Sequence, residues 1–130
     1  MNAENRELTK VKMRLSHEFW FEASHRLDHL GPDHPCYPLH GHSYRVEIII
    51  EGAVDLQTGF VMDYSDIGKA VLPIIKRLDH THLNDITDLK YTTTEHIAHW
   101  LWKRLKPELP TLVEITIRES QATACTYRGE

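Results

Sequence analysis

Residues 13–25, MRLSHEFWFEASH, alternate with a period of two, and one proline-rich loop later so do the residues from about His42 to Glu51. No other feature restricts the fold of this chain so strongly. Leu15, His17, Phe19, Phe21, Ala23 and His25 share one parity, while Arg14, Ser16, Glu18 and Glu22 mostly supply a polar one. Side chains in a strand point alternately to opposite faces, so each segment reads as a strand with one buried face. Tyr44, Val46, Ile48 and Ile50 form the buried face of the second strand. His40 and His42 join that face if extended geometry reaches back to them. The loop between, RLDHLGPDHPCYPL, is broken by Gly31, Pro32, Pro35 and Pro38. Two such strands joined by a loop are expected to pair antiparallel.

The remaining pattern supplies helices and two shorter strands. Ile67, Val71, Ile74, Ile75 and Leu78 fall at helical spacing after an N-cap candidate at Asp63 or Ser65, with a kink or broken turn expected at Pro73. A second helix is expected from near Thr93. Thr92 and Glu95 have capping-box spacing, Ile97, Ala98, Leu101, Trp102 and Leu105 form its stripe, and Pro107 and Pro110 end it. Val113, Ile115 and Ile117 alternate in a third strand, and a fourth runs from about Thr123 to Tyr127. The order β-β-α-α-β-β implies an α+β domain, an antiparallel four-stranded sheet with two helices on one face. Four strands leave open edges, which invite pairing with other copies of the chain.

The chain has 130 residues, enough for one core, and a net charge of −4, which gives no reason to expect nucleic acid or an anionic membrane as a partner. No apolar stretch is long enough to span a bilayer. The opening residues MNAENRELTKVK lack the apolar centre of a signal peptide, so a cytoplasmic protein is expected. Cys36 and Cys125 do not make a disulfide framework and read as thiols.

Ten histidines are many for this length, and histidine is the commonest metal ligand. His40 and His42, two apart on a strand, point the same way and can grip one ion. If the first two strands are antiparallel neighbours, His25 at the end of the first lies beside them. Three imidazoles around zinc with a fourth position open is a catalytic arrangement. Iron or another borderline metal suits the same nitrogens, and ordinary strand histidines with satisfied hydrogen bonds are the plainer alternative. Cys36, four residues before His40, is open to three roles: fourth ligand, activated thiolate, or small buried hydrophobe. In LDHTHLND, Asp79 could orient His80, but sequence neighbours do not face each other in a helix, so the pair needs a turn. Spacing alone favours a simple interaction of His80 and His82 with the helix C-terminus. Glu119 continues the parity of Ile115 and Ile117; it is a solvated strand end or, if buried, an acceptor for paired N–H donors.

FEASHRL, CYPLHGHSYRV, TGFVMDYSDI, RLDHTHLND, TTTEHIA and RESQATACTYRGE together resemble, in order, the motifs of the 6-pyruvoyl-tetrahydropterin synthase family. The likeness is greatest to its bacterial branch, whose members form 6-carboxytetrahydropterin in queuosine biosynthesis. It covers nearly all of the chain after about residue 13, leaving residues 1–12 as a polar extension and 13–130 as one domain. It implies a tunnelling fold whose sheets join into a barrel, with two trimers stacked as a homohexamer. It implies zinc on His25, His40 and His42, Cys36 as general base acting with Asp79 and His80 across a subunit boundary, and Glu119 as the pterin anchor with Thr93 nearby. The implied reaction is lysis of 7,8-dihydroneopterin triphosphate to 6-carboxy-5,6,7,8-tetrahydropterin, acetaldehyde and triphosphate. The alternatives are the pyruvoyl-forming reaction, which cleaves no carbon–carbon bond, and a zinc-stabilised binding protein. The chain departs from the family in two places. Thr92 stands where proline is frequent. Pro35 and Pro38 flank Cys36 where basic residues are common, so no residue is assigned to the triphosphate.

Overall fold

The computed structural model describes residues 2–130. In chain order the elements are α1 (Ala3–Leu8), β1 (Met13–His25), β2 (His40–Gly52), α2 (Tyr64–Lys76), β3 (Thr81–His82), α3 (Thr94–Leu105), β4 (Leu112–Arg118) and β5 (Cys125–Tyr127), with a 3-10 turn at Leu83–Asp85. β1 and β2 pair antiparallel along their whole length, from Met13 opposite Gly52 to His25 opposite His40. β2 therefore begins two residues earlier than its apolar alternation shows, and His40 lies inside the ladder. The sheet order is β3-β1-β2-β4-β5.

Two expectations about the sheet need correction. It has five strands, not four, and it is mixed, because β3 runs parallel to β1 through Ala23–Thr81 and Ser24–His82. Two residues carry no periodicity, so β3 had no sequence signature. Val113 is not on the buried face. The β2–β4 register shifts between Ile49 and Ile50, where Glu114 and Leu112 are the partners. That bulge leaves Val113 as an extra residue and turns Leu112 inward instead. The polar segment before β1 also holds α1, where the Asn2 side chain accepts the Asn5 N–H at 2.8 Å; Met1 lies outside the described residues.

The core lies between one face of the sheet and α2 and α3. Phe19, Phe21, Tyr44, Val46, Ile48, Ile50, Ile115 and Ile117 meet Ile67, Val71, Ile75, Ile97, Ala98, Leu101 and Leu105 there. Burying one such isoleucine contributes roughly 1.5–3 kcal/mol. Asp63 caps α2 by accepting the Ser65 N–H at 2.9 Å, and the helix runs on past Pro73 to Lys76. The cap of α3 is Thr93, which accepts the His96 N–H, and not Thr92 of the expected capping box. On α3, Trp100 is buried while Trp102 is only half-buried. Trp102 instead packs on Tyr127 and Gly129, where φ is +81° and an added Cβ would lie 2.2 Å from the indole.

Candidate active site

The β1–β2 register builds the histidine cluster. His25 stands opposite His40, and Ala23 opposite His42. All three histidines therefore face the core side at the open end of the ribbon. Their ring centroids lie 4.5, 5.1 and 4.8 Å apart, and one potential ligand atom from each lies within 4.8 Å of the others. The three are placed to hold one metal ion.

Hydrogen bonds fix how two of the rings present themselves. His25 Nδ1 is 2.9 Å from the Thr92 carbonyl and 3.2 Å from its hydroxyl. A carbonyl only accepts, so Nδ1 carries the proton and Nε2 keeps its lone pair. The Tyr44 hydroxyl lies 3.4 Å from that Nε2. His40 Nδ1 donates to the Pro38 carbonyl at 2.7 Å, again freeing Nε2. Burial lowers the pKa of His25 from 6.5 to about 4, helped by the neighbouring imidazoles and only partly opposed by the Thr92 carbonyl. The ring is therefore neutral at ordinary pH, the state a metal requires. Burial, with Glu119 adding to it, raises the pKa of the Tyr44 hydroxyl, so that group is a neutral donor in the floor of the site.

Glu119 follows β4, with Oε2 3.8 Å from His42 Nε2 and about a third of its side chain exposed. It lines a cavity of about 190 Å³ with Thr94, Ile117 and Cys125. Thr94, not Thr93, shares that cavity; the Thr93 hydroxyl is engaged at the cap of α3 and with His96 Nδ1 at 3.0 Å. Cys36 is half-buried in the loop and is not part of the three-histidine cluster. Its carbonyl accepts the Leu27 N–H at 2.9 Å, and its N–H donates to His34 Nδ1 at 3.0 Å.

Asp79 and His80 do face each other. His80 takes φ +56°, uncommon for a residue with a side chain. This supplies the turn that helical spacing denies. Asp79 Oδ1 lies 3.0 Å from His80 Nδ1 and accepts the Glu22 N–H at 2.9 Å, while the His80 N–H donates to the Glu22 carbonyl at 2.6 Å. The Glu22 N–H, with a smaller contribution from His80, holds the Asp79 carboxyl below its ordinary pKa. His80, Thr81 and His82 line a cleft of about 630 Å³ together with Ala23 and His42 and with Glu22, Ser24, Gly41 and Ser43. Glu22, Ser24, Gly41 and Ser43 occupy the parity opposite to Ala23 and His25, so most of the cleft before the dyad lies on the other face of the sheet from the core, with Ala23 and His42 at its margin.

The profile of the family described as 6-pyruvoyl tetrahydropterin synthase matches residues 14–130. The chain belongs to that family. Among its relatives is the 6-carboxy-5,6,7,8-tetrahydropterin synthase of Synechocystis, 35% identical with 85% of this chain and 88% of the relative covered. Another is the dihydroneopterin monophosphate aldolase of Pyrococcus furiosus, 34% identical with 81% and 85% covered. The tunnelling fold of the family is shared with the solved 6-pyruvoyl tetrahydropterin synthase of Caenorhabditis elegans at a TM-score of 0.84 and 24% identity, covering 92% of this chain and 97% of that one.

Sequence reasoning missed the roles of Thr92, Tyr44, His34 and Thr94. Thr92 is 2% exposed, and nothing in its spacing separates a buried hydroxyl from a helix cap. Tyr44 was visible as a buried-face residue whose hydroxyl would need a partner.

Proposed function

We propose that the protein is a zinc-dependent carbon–carbon lyase. It converts 7,8-dihydroneopterin triphosphate and one water to 6-carboxy-5,6,7,8-tetrahydropterin, acetaldehyde and triphosphate, a step in queuosine biosynthesis. The observation that carries this reading is a three-imidazole cluster of which Cys36, four residues before His40 in sequence, is not a member. A structural zinc site is usually closed by four cysteine or histidine ligands. Here sulfur is left over, available as a base. When bound to His25, His40 and His42, zinc supplies Lewis acidity to the oxygens of the substrate side chain.

The chain's own residues have distinct tasks. Glu119 accepts the paired N–H donors of the pterin, and Thr93, which precedes Thr94 of the Glu119 cavity, assists in binding it. Cys36 thiolate removes the proton from the side-chain carbon next to the ring. His80, its Nδ1 held by Asp79, moves protons at Nε2 while triphosphate leaves and the carbon–carbon bond breaks. Side-chain oxidation balances ring reduction within one molecule, so no nicotinamide or flavin is needed.

The dyad opens on the face opposite the histidine cluster of its own chain, which supports its use in the site of a second copy. Most of β1 has no outer neighbour, since β3 covers only Ala23 and Ser24, and such an edge invites a partner strand. A homohexamer of two stacked trimers, with sheets joined into a barrel, provides that partner. No helix among the described residues is long and apolar enough to cross a membrane, and we place the enzyme in the cytoplasm.

The test is product analysis with zinc-loaded protein and dihydroneopterin triphosphate. Trapped acetaldehyde and the 6-carboxy product are expected. A pyruvoyl product without acetaldehyde would instead assign the pyruvoyl-forming reaction. Cys36→Ala should keep zinc and fold while losing turnover; loss of metal and fold together would mark a structural site.

A further inference from the structure

Arg14, Arg45, Arg77, Arg104 and Arg128 each rest on a carboxylate. Arg26 does not. It directly follows His25, and its backbone is gripped on both sides: its N–H donates to Asn84 Oδ1 and its carbonyl accepts from Asn84 Nδ2, each at 2.9 Å. The next residue, Leu27, is the one bonded to the Cys36 carbonyl. The Arg26 guanidinium lies 4.7 Å from the ring centroid of Tyr37, the residue after Cys36. Its Nε is the one buried side-chain nitrogen or oxygen among the described residues without a hydrogen-bond partner. No described carboxylate pairs with it.

A half-buried cation without a counter-charge is costly, and an aromatic face returns only part of that cost. Asn84 and Tyr37 nonetheless hold this one in place between the histidine cluster and the loop of Cys36. A guanidinium offers its donors as a planar fork that matches an anion's oxygens. The surroundings are also polarised. Glu119, an acceptor for N–H donors, sits beside His42 on the β4 side, while Arg26 sits past His25 on the loop side. We infer that Arg26 is a substrate-binding residue that receives the phosphate of a phosphate or polyphosphate ester, the end of the substrate remote from its N–H donors. This rests on the pterin-phosphate reading above, in which phosphate is the only anionic group the substrate brings.

The experiment separates the two ideas. Zinc-loaded wild type, Arg26→Ala and Arg26→Lys are titrated calorimetrically with inorganic triphosphate, then assayed with dihydroneopterin triphosphate. Arg26→Ala should weaken inorganic triphosphate by about 10- to 100-fold and raise KM by a similar factor, with kcat changed less than about threefold. Arg26→Lys should fall between, since it keeps the charge and loses the fork. Zinc content and the cobalt(II) absorption spectrum verify that the variants are folded, and Tyr37→Leu, which keeps the guanidinium, should retain most of the triphosphate affinity. Unchanged affinity in Arg26→Ala overturns the inference. So does a fall in kcat with KM unaltered, because Arg26 would then only hold the Cys36 loop. If wild type binds inorganic triphosphate through Arg26 yet turns over no ester, the anion site stands and the proposed reaction fails.

Discussion

At the His25 end of the β1–β2 ribbon, the histidines on the two sides of the sheet differ sharply in exposure and partners. On the core side His25 is 2% exposed, bonded to Thr92, kept neutral and grouped with two more imidazoles. On the other side the His80 side chain is 79% exposed, has Asp79 as its partner, and sits on a backbone at φ +56°. The first group is complete within one chain. The second is oriented and strained, and of the three clustered histidines only His42 borders its cleft. Strained backbone of this kind costs about 1–3 kcal/mol and persists where surrounding bonds enforce it. Here the enforcing bonds are the two to Glu22. The contrast supports the proposed site assembled from two copies, in which one would hold the metal and the other would supply the proton relay.

The largest effects should separate the faces by metal content. His42→Ala should bind almost no zinc and lose turnover by about 10³-fold or more. His80→Ala should lose about 10²–10⁴-fold in turnover while keeping its zinc, as measured by elemental analysis of the purified protein. If His80→Ala loses its metal as well, the two groups are not independent and the division between faces is wrong.

Mixing sharpens the same point. Cys36→Ala and His80→Ala are each expected to be inactive alone. Subunits dissociated and reassembled at equal ratio should recover about one quarter of wild-type turnover, because random pairing joins an intact thiol with an intact dyad at that frequency. Recovery fails if both groups must come from one chain.

Next in size is the pH response of the metal-free protein. The unfolded chain takes up a proton at His25 near pH 6.5, whereas the folded chain does so only near 4. Between those values protonation favours unfolding. The stabilisation is thus fully present above about pH 6.5 and lost as pH falls toward 4, by about 3 kcal/mol in all. Urea unfolding of the EDTA-treated protein at a series of pH values measures it. His25→Gln should flatten the slope across that window, whereas removing the exposed His80 should leave it in place.

The core-face cluster was legible in the sequence because it depends on alternation alone. Period-two parity puts His25, His40 and His42 on one side, and a hairpin-like order brings them together. The dyad was legible only through the family resemblance and not from spacing, because Asp79 and His80 meet through a left-handed residue that no periodicity marks. β3 was invisible for a related reason: its pairing is enforced from outside, by the bonds between residues 79–80 and Glu22. The third strand failed at Val113 because a bulge changes parity without changing composition. Thr92 was read as a cap because a buried hydroxyl and a capping hydroxyl have the same spacing; the neighbouring His25, 67 residues away in sequence, decides between them.

The smallest effect tests whether the exposed face really stores strain. Glycine adopts φ near +56° without the Cβ clash that opposes it in other residues. His80→Gly should therefore stabilise the fold by up to about 1 kcal/mol, while His80→Ala, which keeps the Cβ, should not. Both substitutions remove the imidazole, so both should be equally inactive, and the gain in stability is separated from the loss of turnover. Urea midpoints of zinc-loaded wild type and both variants give the comparison. The opposite order, with alanine at least as stable as glycine, would mean that the bonds to Glu22 relax the turn completely. The outer face would then be merely exposed, and its strain would say nothing about a second copy.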